Sequence, residues 1–223
     1  MGKLEGKFKK ERRSIMYRFT RILVVAVFTL IAMGILPWAA AASSHESPSI
    51  EQTFQKAKEN YLQKNMNAAA EQIKKGAAYM KAQAEKASAK GKADLAASAQ
   101  ELEKLADDVK KGAVTSEKKI EDAFARAYLA LASDDHIKST ESWAKKESAK
   151  AGAALERANK NLEKSFVWAG QKIEKHTNDA MKKSEELALK LKKKGTLIAE
   201  EVGKGLQEAG NEIEKFGKKI SPR

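Results

Sequence analysis

Cysteine is absent from the chain, proline occurs three times, and aromatic residues make up only 6% of its 223 residues. Without cysteine there is no disulfide framework, no thiolate metal site, no haem-attachment motif and no lipid-modified cysteine behind an export signal. The prolines are Pro37, Pro48 and Pro222, so residues 49–221 contain none. An interior proline costs a helix about 3 kcal/mol, and a proline-free stretch rich in Ala, Lys and Glu reads as helix throughout. Strand signals are also nearly missing, because Val and Ile are scarce beyond residue 42 and never alternate with polar residues over a useful run.

The lack of catalytic signatures is just as broad. There is no glycine-rich phosphate loop after a strand, no G-x-S-x-G elbow and no H-E-x-x-H. Carboxylates are plentiful, but nearly all stand beside lysines at helical spacing and read as solvated, ion-paired faces. The chain is not expected to be an enzyme, and no cofactor is expected.

What is present begins with charge. The formal net charge is +13, but Lys3, Lys7, Lys9, Lys10, Arg12, Arg13, Arg18 and Arg21 all precede residue 22, against only Glu5 and Glu11. Much of the basicity therefore belongs to the first segment. Further on, Lys and Glu alternate along every face, without the basic cluster and interleaved aromatics that nucleic acid would require. No nucleic-acid partner is expected.

Lys3 to Arg21 is followed by an unbroken apolar run, Ile22 to Leu36, then Pro37, Trp38 and the small residues Ala39 to Ala42. This order of basic, apolar and small residues is that of a secretory signal peptide, residues 1–42, with cleavage expected before Ser43. The alternative is an uncleaved inner-membrane anchor, since Ile22 to Ala42 is just long enough to span a bilayer. Either way a periplasmic or secreted location, in the cell envelope, is expected. Residues 43–49 read as a polar linker.

From Ile50 the spacing of apolar residues predicts an all-α fold: an elongated antiparallel helical bundle over residues 50–194, with a C-terminal amphipathic helix over 195–223. The expected helices span residues 50–90, 94–111, 116–150 and 153–194. Gly76 is read through because the stripe stays in phase across it, Gly91 and Gly112 are read as stops, and Asp94 and either Thr115 or Ser116 as caps. The stripe from Ser116 to Leu191 is the expected scaffold. Its weak points are Ser133–Ser142, whose short polar side chains compete for backbone hydrogen bonds, and Ala151-Gly152, where the chain is expected to reverse. Aliphatic content beyond residue 42 is thin, and helices that order only on a partner or surface are the alternative.

Two sets of residues stand out. If the chain reverses near Gly152, Tyr128, His136, Trp143, Phe166 and Trp168 converge, either as core or as an apolar pocket among alanines. Asp134, Asp135 and His136 contain metal-ligating types, but adjacent residues diverge around a helix and no Glu-x-x-His pair supports them, so no metal is expected. The second set is the C-terminal stripe Ile198, Val202, Leu206, Ile213, Phe216 and Ile220, a membrane or partner face interrupted by Gly203, Gly205, Gly210 and Gly217. Each glycine is expected to cost that helix about 1 kcal/mol relative to Ala.

These features point to an exported bacterial envelope protein that acts by non-catalytic binding or scaffolding, through a protein partner or self-association along its apolar stripes. The alternative is a carrier or coat that lays its amphipathic helices on an anionic membrane surface.

Overall fold

The computed structural model describes residues 49–193 and 197–221. The segment read as a signal peptide and the linker up to Pro48 lie outside the described residues. Among those described, the chain is an all-α antiparallel bundle of seven helices. They are α1 (Ile50–Leu62), α2 (Met66–Glu85), α3 (Gly91–Lys110), α4 (Glu117–Ala144), α5 (Ser148–Trp168), α6 (Lys175–Lys192) and α7 (Ala199–Ile220). No helix among the described residues is long and apolar enough to cross a membrane.

The longest helix, α4, is the hub, and α1, α3, α5 and α7 all pack on it. Each runs antiparallel to it, as the cross-helix contacts show. Glu51 and Lys58 of α1 meet Tyr128 and Glu121, while Glu101 of α3 meets Arg126. On the other side Ser165 of α5 donates to the Ala125 carbonyl and Ser139 to that of Ala151, and His136 meets Leu206 of α7. Helices α2 and α6 form the outer members of the hairpins α2–α3 and α5–α6.

Two reversals fall where the sequence offers no glycine. The helix expected over 50–90 is broken at Lys64 (φ 64°), and the reversal expected at Gly152 comes earlier, at Lys146 (φ 60°). Both are Schellman ends. The Lys64 and Asn65 amides donate back to the Tyr61 and Asn60 carbonyls, and those of Lys146 and Glu147 to Trp143 and Ser142. The helix expected over 153–194 ends the same way at Gly170 (φ 62°), as α3 does at Gly112 (φ 68°). The long scaffold stripe is therefore three helices, α4, α5 and α6. Gly152 sits inside α5, where a Cβ would lie 2.5 Å from the Ala188 carbonyl oxygen, so it permits close approach of α6 rather than a turn.

The principal core gathers apolar residues from α1 to α5 with Met181 of α6 and Ile213 and Phe216 of α7. At its centre Phe54 stacks on Phe124 with centroids 4.0 Å apart, and Trp168 meets Phe124 edge-on at 5.1 Å. A second cluster joins Ala151, Leu155, Ala188 and Leu191 to Val202, Leu206 and Ala209 of α7. Helix α7 thus contributes to both clusters. Along the α5–α6 hairpin Glu156 bridges Lys160 and Lys192, which hold its carboxyl down at about 2.

The glycines of α7 also find their reason here. A Cβ on Gly210 would come within 2.7 Å of the His136 ring, one on Gly205 within 2.6 Å of Leu187, and one on Gly217 within 3.3 Å of Leu129. Only Gly203 faces open space. Three of the four interruptions are thus places where α7 presses close to the bundle. Gly203→Ala should raise Tm by roughly 2–4 °C, the effect of about 1 kcal/mol of helix propensity in a domain of this size. Gly210→Ala should lower Tm in the same thermal melt, because the imidazole must move. An equal rise in both variants would contradict the docking of α7 on α4.

Candidate functional site

The polar segment Ser133–Ser142, expected to weaken its helix, lies in unbroken α4 and links it to α5, α7 and the turn before α3. Residues one apart on a helix point about 100° apart, and here three consecutive side chains reach three different partners. Asp134 Oδ1 accepts from the Ser88 amide (2.8 Å) and hydroxyl (2.9 Å), and Ser88 Oγ in turn accepts from the Gly91 amide at 3.0 Å. The start of α3 is therefore capped by Ser88, which Asp134 of α4 holds in place, and not by Asp94, which lies exposed in its first turn. A carboxylate there also suits the positive end of the helix dipole.

Asp135 turns toward α5, accepting from Arg157 Nε at 2.8 Å and Asn161 Nδ2 at 3.1 Å. Burial pushes its carboxyl above the ordinary value, against the pull of the Arg157 guanidinium. His136 turns toward α7, its Nε2 lying 2.8 Å from the Leu206 carbonyl. Since a carbonyl only accepts, that nitrogen carries the proton. The three potential metal ligands diverge, each engaged in a contact between helices.

The five residues expected to converge are distributed over three places. Tyr128 and Trp168 are buried with Phe54 and Phe124 in the principal core. Phe166 stacks on Phe216 of α7 at 3.7 Å, and Trp143 packs against the second cluster. His136 lines a groove described below. They separate because the reversal at Lys146 sets Phe166 and Trp168 beside Phe124 and Ala125, more than two turns of α4 away from His136. Tyr128 does join a polar cluster at the core's edge. Its hydroxyl donates to Glu51 Oε2 at 2.6 Å, and Lys164 Nζ lies 3.1 Å from the same oxygen and 5.2 Å from the ring centroid. Burial raises the Glu51 carboxyl, but the Tyr128 hydroxyl and Lys164 outweigh it and hold the group below its ordinary value. The Tyr128 hydroxyl is pushed well up, by burial first and then by Glu51.

Of the C-terminal stripe, Val202, Leu206, Ile213 and Phe216 are buried against α4, α5 and α6, and Ile220 is partly buried. Ile198, just before the helix, is 55% exposed. On its flank α7 adds polar contacts. Thr177 Oγ1 of α6 donates to the buried Glu212 at 2.6 Å, and Arg126 reaches the Ile220 carbonyl at 3.3 Å.

Helices α3 and α7 both pack on α4 but stand apart from each other. Between them runs a groove of about 840 Å³. Its floor is Leu129, Ala130, Ser133, His136 and Ile137 of α4, and Ala97, Ser98, Gly210, Ile213 and Gly217 line its sides. At one end Arg126 clamps Glu101, with Nε 2.9 and 3.1 Å from the two carboxylate oxygens. At the other stand Lys90, Asp94 and His136. The volume lies within the range of about 300–1,000 Å³ usual for small-molecule sites. Ser98 Oγ is buried and has no hydrogen-bond partner among the described residues. Nothing in the sequence signals this groove, because it is a gap between helices distant in the chain and its sides are mostly small residues.

Asp134→Ala should leave the buried Ser88 amide unpaired, loosen the Ser88 cap of α3 and remove the partner of Lys138, lowering unfolding free energy by roughly 2–3 kcal/mol in urea titration. Asp134→Asn keeps an acceptor for Ser88 and should lose clearly less. A wild-type midpoint for the alanine variant would contradict the capping role.

Comparison with family models, with curated proteins and with solved structures gives no match for this chain, so its function is argued from its own geometry.

Proposed function

We propose that the chain is an exported, non-catalytic binding protein of the bacterial cell envelope, with the groove between α3, α4 and α7 as its seat for a ligand. Export rests on the basic stretch Lys3–Arg21, the apolar run Ile22–Leu36 and the small residues before Ser43, and the bacterial assignment on the style of that signal. The observation that carries the binding role is the groove itself, with Leu129, Ala130 and Ile137 on its floor and an unpartnered hydroxyl at its side.

The same observations favour this reading over a membrane-surface role for α7. Burying Val202, Leu206, Ile213 and Phe216 is worth about 1.5–3 kcal/mol per side chain, and an acyl boundary would return a similar amount. Apolar burial alone therefore does not choose between bundle and bilayer. The close approaches at Gly205, Gly210 and Gly217 and the bonds to His136, Arg126 and Thr177 have no counterpart on a lipid surface. They favour the bundle.

The test is the thermal melt of residues 43–223 by circular dichroism, alone and with vesicles containing anionic lipid. The expected result is one cooperative transition with unchanged helix content in the presence of vesicles. Low helicity that rises with vesicles would replace this reading with the surface-coating one.

A further inference from the structure

We infer that the groove between α3, α4 and α7 takes an uncharged, largely apolar molecule that carries a hydrogen-bonding group part-way along its length. The inference rests on the binding role proposed above and names its ligand class.

Charge argues first. The ionic side chains around the groove are three cations, Lys90, Arg126 and Lys218, and three anions, Asp94, Glu101 and Glu214. Arg126 is already engaged with Glu101 and the Ile220 carbonyl, and Lys218 with Glu214 at 2.6 Å. Lys218, with a smaller contribution from Lys90, holds the Glu214 carboxyl below its ordinary value. A phosphate or carboxylate would meet no uncommitted cluster of cations, and a cationic ligand no uncommitted cluster of anions. Charged ligands lose their hydration on entering and gain little in return.

The floor and sides argue next. Between the charged ends Leu129, Ala130, Ile137, Ala97 and Ile213 present alkyl surface, and the small residues leave the width for a ring or chain. Ser98 stands on α3 one turn before Glu101, towards the middle of the groove. The residue is 7% exposed, and its hydroxyl bonds to nothing among the described residues. Leaving a buried hydroxyl without a partner is costly. Because Ser98 is among the residues lining the groove, a hydroxyl or carbonyl of the ligand can pair with its hydroxyl. The same packing that leaves this group unpaired in the free protein would make it a source of selectivity in the complex.

Three probes of one shape test the class: 2-naphthol, naphthalene-2-carboxylate and 2-naphthylmethylammonium, each titrated into residues 43–223 by calorimetry with amide chemical-shift mapping. The expected result is saturable binding of 2-naphthol at least tenfold tighter than either charged probe, with shifts on α3, α4 and α7. Ala97→Trp, an exposed position that fills the mouth, should abolish it. Ser98→Ala should weaken 2-naphthol binding about three- to tenfold, the worth of one neutral hydrogen bond, while leaving Tm unchanged or higher. If a charged probe binds best and Ala97→Trp still blocks it, the uncharged class is wrong and the groove remains the seat. If no probe saturates, or the shifts ignore Ala97→Trp, the groove reading falls with it.

Discussion

The structure depends on one constraint: a single helix, α4, must satisfy a different neighbour with nearly every side of its circumference. The run Asp134, Asp135, His136 shows how this is met. Asp134 holds Ser88, which caps α3, Asp135 holds Arg157 of α5 and His136 holds the Leu206 carbonyl of α7. Ser139 adds a bond to the Ala151 carbonyl. Burying polar groups is costly unless each is bonded, and bonded groups of this kind fix register in a way that alanine contacts do not. A core so rich in alanine offers little shape to specify how its helices slide. The short polar side chains supply that specification, and an apparently weak stretch of helix becomes a committed one.

Fold class was legible because it rests on what the chain lacks. Missing prolines, missing strand runs and apolar residues at helical spacing leave few alternatives to a bundle of helices, and that is the architecture found. Helix boundaries were only partly legible. Gly112 ends α3 as its preceding lysines suggest, and α2 continues through Gly76, where the missing side chain makes room for the Phe54 ring. The ends at Lys64 and Lys146 were hidden because an identical Schellman geometry is built there on lysine. Left-handed lysine is unfavourable in isolation, so tertiary packing decides it, and no local pattern announces it.

The candidate site was the least legible feature. Aromatic residues drew attention because they are scarce, yet Phe54, Phe124, Tyr128 and Trp168 form core and Phe166 pairs with Phe216. The groove is made instead of residues that carry little signal in sequence: alanines, glycines, Ser98 and the floor of α4. The glycines of α7 illustrate the ambiguity. Counted as propensity they weaken a helix, while seen against His136, Leu187 and Leu129 they allow it to seat. That seating turns α7 from a free amphipathic segment into a wall of the groove and one of the links between two apolar clusters.

The central claim is that α7 belongs to the bundle as firmly as the helices around it. Native-state hydrogen exchange measures this directly, since each amide reports the free energy of the opening that exposes it. In residues 43–223 the amides of α7 between Leu206 and Phe216 should open with free energies close to those in the middle of α4, and should keep them when anionic vesicles are added. Exchange of α7 by a separate opening several kcal/mol below that of α4, or loss of its protection on vesicles alone, would contradict the account.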